Sequence, residues 1–291
     1  MRNFVQDRIK TKGMKTTIVF LSFLFYAAGL CAQNFEKVTV SYVKTGEGLY
    51  DFYVENPNHY PVQFQLIFTQ FENMMAGEEL PLNRTVPPGK HFLLNIRRIY
   101  LDIPGNFKYT YQTRVGGYPV MYDPQTVYRL PVATGKSTRA IDLEATNADD
   151  PGRVVKVFSF HEGDTVFCCR EGVVCMKTET EYRNGFRTGE NALTLVHPDG
   201  SFGKYEVFAD SLLFVGLGDS LKAGAPLGVA GGTQYAVGPH NRFSVYYVHA
   251  SIDSILTYKL RQYHTFVDPL FQTAPGTVVQ VKADGEYVQE R

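Results

Sequence analysis

Apolar and polar residues alternate along several short segments in the first third of the chain. The residues Tyr50, Phe52 and Val54 alternate with others in LYDFYVEN, and VQFQLIF (62–68) and FKYTYQTRV (107–115) repeat the period. A period of two predicts half-buried strands, because successive side chains of a strand point to opposite faces. Turn-forming segments separate them, namely ENPNHYP, VPPGK and DIPGN. We therefore predict a β-sandwich over 34–125.

The rest of the chain continues as short strands after one interruption. Residues 126–152 are mostly polar and have no period, which predicts a linker or insertion. From 153 to 258 short apolar segments return, broken by glycine turns, and 259–291 form a β-tail with a hairpin signal at Asp284-Gly285. The fold class is thus all-β, and we interpret the first domain as an immunoglobulin-like spacer without a site.

The N-terminus predicts export. Lys15 follows Met14, an apolar run extends from Ile18 to Leu30, and small residues surround Cys31. The run is shorter than the ~18–20 residues that cross a bilayer, so residues 1–32 are predicted to be a secretory signal peptide, with translation starting at either Met1 or Met14. A lipoprotein signal at Cys31 is the less favoured alternative, because Leu30 is not small. The predicted location is the periplasm or cell envelope, with no transmembrane helix in the mature chain.

Charge excludes one class of partner. The whole chain has 29 basic and 29 acidic residues, and 1–32 contain five of the former and one of the latter. The remaining 24 basic and 28 acidic residues give a net charge of −4. A mildly acidic protein lacks the electrostatic footprint of nucleic-acid binding.

Three segments of the second half carry a specific pattern: EGDTVFCCREGVV (162–174), NALTLVHPDGSFGKYEVF (191–208) and VGLGDSLKAGAPLGVAGGTQYAVGPHNRFSV (215–245). In order and spacing they resemble the lysostaphin/LytM-type zinc endopeptidases that cut peptidoglycan, whose peptidase domain is a duplicated hybrid motif fold. The last segment, ending in Gly-Pro-His-x-x-Phe, is the most specific. The resemblance implies a lysostaphin-like domain over 153–258.

The family's chemistry depends on zinc held by an H-x-x-x-D motif and by the second His of H-x-H, which leaves a position open for water. The first His of H-x-H and the His of Y-x-H-L act on that water or on the oxyanion. Carried over by position, the metal ligands become Arg153, Val157 and Arg242. The catalytic positions become His240 and Val207, the latter in Tyr205-Glu206-Val207-Phe208.

The resemblance therefore implies a degenerate member with no metal and no cofactor. Guanidinium does not coordinate zinc, and valine cannot move protons. We expect a pseudoenzyme whose binding groove is formed by His240, Arg242, Tyr205, Val207 and Val157. Its partner would be peptidoglycan peptide or a cell-wall hydrolase that docks in the vacated groove. The alternative is a zinc-dependent peptidoglycan metalloendopeptidase with a relocated metal site, for instance at His161 and Asp164. His197 is interpreted as a turn residue.

The cysteines permit one disulfide. Cys168, Cys169 and Cys175 remain after the signal peptide. A tight turn at Glu171-Gly172 would place Cys168 opposite Cys175, close enough for a bridge in an exported protein. The competing interpretation is that both are small buried side chains, since cysteine packs well among apolar residues.

Overall fold

A computed structural model describes residues 36–117, 122–141, 152–183, 186–252 and 260–290. The predicted signal peptide lies outside these residues. The described parts form strands and no α-helix, which confirms the all-β class, and within them no helix is long and apolar enough to cross a membrane.

The strands are numbered in chain order. Those of the first third are β1 (Thr39–Gly46), β2 (Leu49–Asn56), β3 (Val62–Glu72), β4 (Met74–Ala76), β5 (Leu82–Val86), β6 (Gly89–Arg98) and β7 (Asn106–Val115). The next are β8 (Val127–Arg129), β9 (Ser137–Ile141), β10 (Lys156–Ser159), β11 (Thr165–Phe167), β12 (Gly172–Thr178), β13 (Glu181–Arg183), β14 (Phe186–Thr188), β15 (Asn191–Val196) and β16 (Phe202–Leu213). The last are β17 (Ser220–Leu221), β18 (Pro226–Ala230), β19 (His240–Ile252), β20 (Leu260–Val267), β21 (Leu270–Ala274), β22 (Thr277–Gln280) and β23 (Glu286–Val288).

Two antiparallel sheets form the first third, with strand orders β1-β2-β6-β4 and β5-β3-β7. The alternating residues predicted from sequence supply their shared apolar cluster: Phe52, Val54, Phe64 and Leu66 are buried there. Phe202 and Val248 of the following sheet join the same cluster. The apolar faces of the two sheets of the first third, β1-β2-β6-β4 and β5-β3-β7, thus meet in this cluster. The immunoglobulin-like topology stays a prediction.

An eleven-stranded sheet dominates the second half. Its main path is β17-β12-β15-β16-β19-β10-β9-β23, with β18 beside β16 and β11, and β20 beside β19. One face of its centre is buried in a second apolar cluster that includes Phe158, Tyr205, Phe243 and Phe271. The central strands of the sheet are β10, β19 and β16. Their opposite face carries Arg242 of β19 and Glu206 of β16.

Two local expectations differ from the structure. Residues 126–152, expected to be a linker or insertion, contribute two strands. Strand β8 pairs with β21, and β9 pairs with both β10 and β23. The tail turn at Asp284 exists, with a φ of 61°, but β22 pairs with β21 and β23 pairs with β9 instead of with each other. Within the tail, β21 and β22 belong to a three-stranded sheet with β8, whereas β20 and β23 belong to the eleven-stranded sheet.

Candidate functional site

Three residues from neighbouring strands form one row across the large sheet. Val157 on β10 lies directly opposite Arg242 on β19, and Arg242 lies directly opposite Glu206 on β16. Directly opposed residues of an antiparallel pair place their side chains on the same face. We call this surface, formed by Val157, Arg242 and Glu206 with His240 two residues along β19, the Arg242 face.

Glu206 is the carboxylate of this face, and it pairs with two basic side chains. Arg153 donates to its Oε2, and Lys204 Nζ lies 2.6 Å from its Oε1. The Arg153 and Glu206 side chains are only 12% and 13% exposed. Burial opposes ionisation of Glu206, but the charges of Lys204 and Arg153 outweigh it and lower its pKa below the ordinary value. This carboxylate therefore stays ionised and is already satisfied by two cations.

Arg242 is held by a second acid. Its Nη1 lies 3.4 Å from Glu190 Oε2, and its guanidinium carbon lies 5.6 Å from the centre of the Tyr235 ring. The Tyr235 hydroxyl also donates to Glu190. The Arg242 side chain is 31% exposed and the Glu190 side chain is 24% exposed. A ligand in solvent can therefore contact this ion pair.

His240 is buried beneath this pair. Its backbone N–H donates to Gly231 O, and its Nδ1 lies 2.9 Å from Gly238 O. Its Nε2 is buried with no hydrogen-bond partner in the described residues. Burial lowers the pKa of His240, and the Arg242 charge acts in the same direction. The imidazole is thus neutral, and Gly232 lies so close that a Cβ there would be 2.8 Å from Nδ1.

The structure separates Tyr205 from the other expected groove residues. Tyr205 points to the opposite face, is fully buried in the apolar cluster, and accepts a 2.7 Å hydrogen bond from Cys169 N–H at its hydroxyl. The alternation of β16 explains this placement, because its neighbour Glu206 occupies the Arg242 face. Tyr205 is therefore a core residue.

Val207 occupies a β-bulge at the edge of the site. Asn191 pairs with Phe208 while Ala192 pairs with Glu206, so Val207 is the extra residue. Its φ is 73°, a left-handed conformation that is a genuine outlier for a β-branched residue, and its side chain is fully buried. Val207 offers no polar atom to a ligand from its side chain.

These side chains do not fit zinc. Metal sites in proteins use Cys, His, Asp and Glu donors, whereas Val157 and Arg242 offer none and Glu206 is already paired with two cations. In the part of the chain that the structure describes, no three His, Cys, Asp or Glu side chains are grouped to bind a metal. His161 and Asp164 pair with each other at 3.3 Å, with the histidine 96% exposed.

Of the two interpretations of Cys168 and Cys175, the strand pairing favours that of two buried free side chains. Strand β11 pairs with β18, and β12 pairs with β15 and β17, so the two do not form a hairpin. The backbone N–H and C=O of Cys168 bond to Ala225 and Gly224 instead. Cys168 and Cys175 lie in different apolar clusters, and both are free and buried.

Sequence reasoning missed a second polar cluster, around His197. His197 begins a turn, as expected, since Gly200 N–H donates to His197 O at 2.9 Å, but its side chain is buried, at 3% exposed, and its Nδ1 is 2.7 Å from Glu171 O. Burial lowers the pKa of His197 to about 4. Nearby, Arg170 donates a 2.8 Å hydrogen bond to Asp199. The signal for burial is Gly203, where a Cβ would lie 2.7 Å from His197 Nε2.

Comparisons with known proteins give weak likenesses. No protein-family model matches the chain, and no curated protein matches it. The solved structures that resemble it include peptidases of the lysostaphin type. The catalytic domain of the antimicrobial peptidase lysostaphin from Staphylococcus simulans is 26% identical, with 38% of this chain and 77% of that chain covered and a TM-score of 0.26.

Two further solved structures resemble the chain with comparably low TM-scores. A second lysostaphin structure is 25% identical over 36% of this chain, which spans 40% of that one, with a TM-score of 0.25. A zinc-containing peptidase from Vibrio cholerae is 16% identical, with 68% of this chain and 52% of that chain covered and a TM-score of 0.32. At these TM-scores, the function proposed below rests on the residues of the site.

Proposed function

We propose that this chain is an exported, non-catalytic lysostaphin/LytM-like protein of the cell envelope, and that its Arg242 face binds a peptide of peptidoglycan. The observation that carries the proposal is the row Val157–Arg242–Glu206. It includes two of the three positions that the sequence resemblance equates with metal ligands, and these two hold an aliphatic group, Val157, and a permanent cation, Arg242. The pattern of residues 14–32 supports export.

Hydrolysis has no group to drive it at this face. Attack on a peptide bond needs an activated water and a stabilised oxyanion. Glu206 is occupied by Arg153 and Lys204, and the position expected to carry the second catalytic histidine holds the side chain of Val207. His240 is the one expected catalytic histidine at this face, and it is fully buried, with its pKa lowered by burial. The alternative of a zinc endopeptidase therefore finds no donor set among the described residues.

Binding is chemically available where catalysis is not. The pair between Arg242 and Glu190 is long, at 3.4 Å, and partly exposed. A guanidinium with a loosely held acid can exchange that acid for the carboxylate of a ligand, to which it can donate two parallel hydrogen bonds. Peptidoglycan stem peptides carry such carboxylates. Tyr235, stacked beside Arg242, would give the ligand an aromatic wall.

The test is co-sedimentation of the chain lacking residues 1–32 with purified peptidoglycan sacculi. Arg242→Ala is expected to weaken binding by ~1–3 kcal/mol, since a charge-assisted hydrogen bond is lost. Glu190→Gln removes the competing acid and is expected to bind at least as well as the unchanged protein. Arg139→Gln is the matched control, because Arg139 forms an exposed surface pair with Asp284.

Two outcomes would contradict the proposal. Unchanged binding by Arg242→Ala would place the binding site elsewhere. Absence of binding to sacculi, together with retention of a cell-wall amidase on the immobilised protein, would support the second non-catalytic function, regulation of a hydrolase.

A further inference from the structure

A cavity lies on the side of the large sheet away from the Arg242 face. Its volume is about 530 Å³, within the range of small-molecule sites. Tyr128 lines it, and the Tyr128 ring lies 5.7 Å from the ring of Phe243. Phe243 follows Arg242 on β19 and so points to the opposite face. The cavity is therefore independent of the site proposed above.

Arg129 on β8 is the distinctive residue of this cavity. Its Nη2 donates to Thr134 Oγ1 at 3.3 Å, and its Nε is buried with no hydrogen-bond partner in the described residues. A Cβ on Gly224 would lie 2.2 Å from Nη1, so the guanidinium lies directly against the backbone there. Packing thus holds Arg129 in place, and within the described residues no carboxylate pairs with it.

The other charges at the cavity define what Arg129 can accept. Arg170 is neutralised by Asp199 at 2.8 Å, and Glu171 pairs with Lys222 at 3.2 Å. Glu290 is exposed and also lines the cavity. Arg129 is thus the cation that a ligand can pair with. Glu171 and Glu290 in the wall repel an anion, and they repel a dianion more strongly than a singly charged one. This balance favours a singly charged anion over a phosphate dianion.

We propose that this cavity binds the carboxylate group of a small molecule or of a peptide end through Arg129. The planar fork of a guanidinium matches the two oxygens of a carboxylate, and its fixed position lowers the entropy lost on binding. Arg170, held by Asp199 and lying over the Tyr128 ring at 5.6 Å, gives the cavity a rigid wall.

The experiment is a titration of the chain lacking residues 1–32, followed by NMR of its backbone amides. The probes are acetate, N-acetylglycylglycine, the amide of that peptide, and inorganic phosphate, all at constant ionic strength. We expect both carboxylates to shift the amides near Arg129, Arg170 and Gln289, and the amide and phosphate to leave them in place. Tighter binding of the peptide than of acetate would identify a peptide end as the source.

Variants keep the test sharp. Arg129→Gln is expected to bind the carboxylates at least tenfold more weakly, and Arg139→Gln to bind them within twofold of the unchanged chain. If Arg129→Gln fails to fold, Arg129→Lys replaces it, and weaker binding is expected there as well because the fork is lost. The proposal is overturned if the amides near Arg129 do not move, if phosphate binds as well as acetate, or if neither variant weakens binding.

Discussion

Val157 is the direct cross-strand partner of Arg242. Their side chains therefore share one face of the sheet, and Glu206 extends the row on the other side of Arg242. The centre of this face is thus an aliphatic side chain beside a fixed positive charge. The acids that remain, Glu206 and Glu190, are each engaged by arginine.

Removing the acid between Arg153 and Lys204 should destabilise the fold. Glu206→Gln leaves two cations close together and one of them largely buried, so we expect a loss of roughly 2–4 kcal/mol in the free energy of unfolding. Urea denaturation measures it. Glu47→Gln is the control, because Glu47 is 75% exposed in its pair with Arg98 and should change stability by less than about 1 kcal/mol. Equal effects of the two variants would contradict this account of Glu206.

The same carboxylate predicts a dependence on pH. The pKa of Glu206 is lowered in the folded protein, so its contribution is complete above the ordinary glutamate pKa of about 4.3 and is lost as pH falls further. The free energies of unfolding of the unchanged chain and of Glu206→Gln should therefore become equal below about pH 4. A difference that stays constant down to pH 3 would show that the carboxylate charge is not the cause.

His197 should make the fold sensitive to acid in a higher range. Burial lowers its pKa to about 4, whereas an unfolded histidine titrates near 6.5, so the unfolded state binds more protons between these values. Stability is then expected to fall by roughly 2–3 kcal/mol from pH 7 to pH 4 through this residue. His197→Gln should flatten that part of the profile, and exposed His161→Gln should not. An unchanged slope in His197→Gln would refute the assignment.

The slot that holds His197 gives a steric prediction. A Cβ at Gly203 would lie 2.7 Å from the ring Nε2, so Gly203→Ala should cost about 1–3 kcal/mol through overpacking. Gly216→Ala is the matched control, since the nearest atom to its Cβ is 3.9 Å away. Thermal unfolding of both variants gives the comparison, and a stable Gly203→Ala would mean that the ring can move aside.

Local patterns predicted part of this structure well. The alternation of Phe52 and Val54 specifies the buried face of β2, because burial in a strand follows every second residue. The Gly-Pro-His-x-x-Phe segment identified the start of β19. Tyr205 and Val207 were both expected to line the groove, but Tyr205 packs in the core and Val207 lies in a β-bulge, and sequence alone does not reveal a positive φ in valine.

The ion pairs could not be predicted from sequence. Glu190 and Arg242 are 52 residues apart, and Arg153 and Glu206 are 53 residues apart, so only the strand order brings them together. The two interpretations of Cys168 and Cys175 could not be separated from sequence for the same reason, because β11 pairs with β18 instead of turning back onto β12. Long-range pairing decides these contacts, and local turn chemistry does not.

Introducing zinc donors tests the proposal that Arg153, Val157 and Arg242 leave the Arg242 face without a metal site. Arg242→His alone should not bind zinc, because Val157 and Arg153 still offer no donor. The triple change Arg153→His, Val157→Asp and Arg242→His places zinc donors at the three positions that the resemblance equates with ligands, and it is expected to bind about one zinc per chain. Zinc binding by the single variant, or its absence in a folded triple variant, would show that other residues decide metal affinity.

The most direct test of the central claim is the metal content of the unchanged protein lacking residues 1–32. The chain is purified, incubated with micromolar zinc, freed of unbound metal and analysed by elemental mass spectrometry. The substitution of donors by Val157 and Arg242 predicts far less than one zinc per chain and no cleavage of cross-linked muropeptides. About one tightly bound zinc per chain, with a muropeptide cleavage that a chelator stops, would contradict the proposal of a non-catalytic protein.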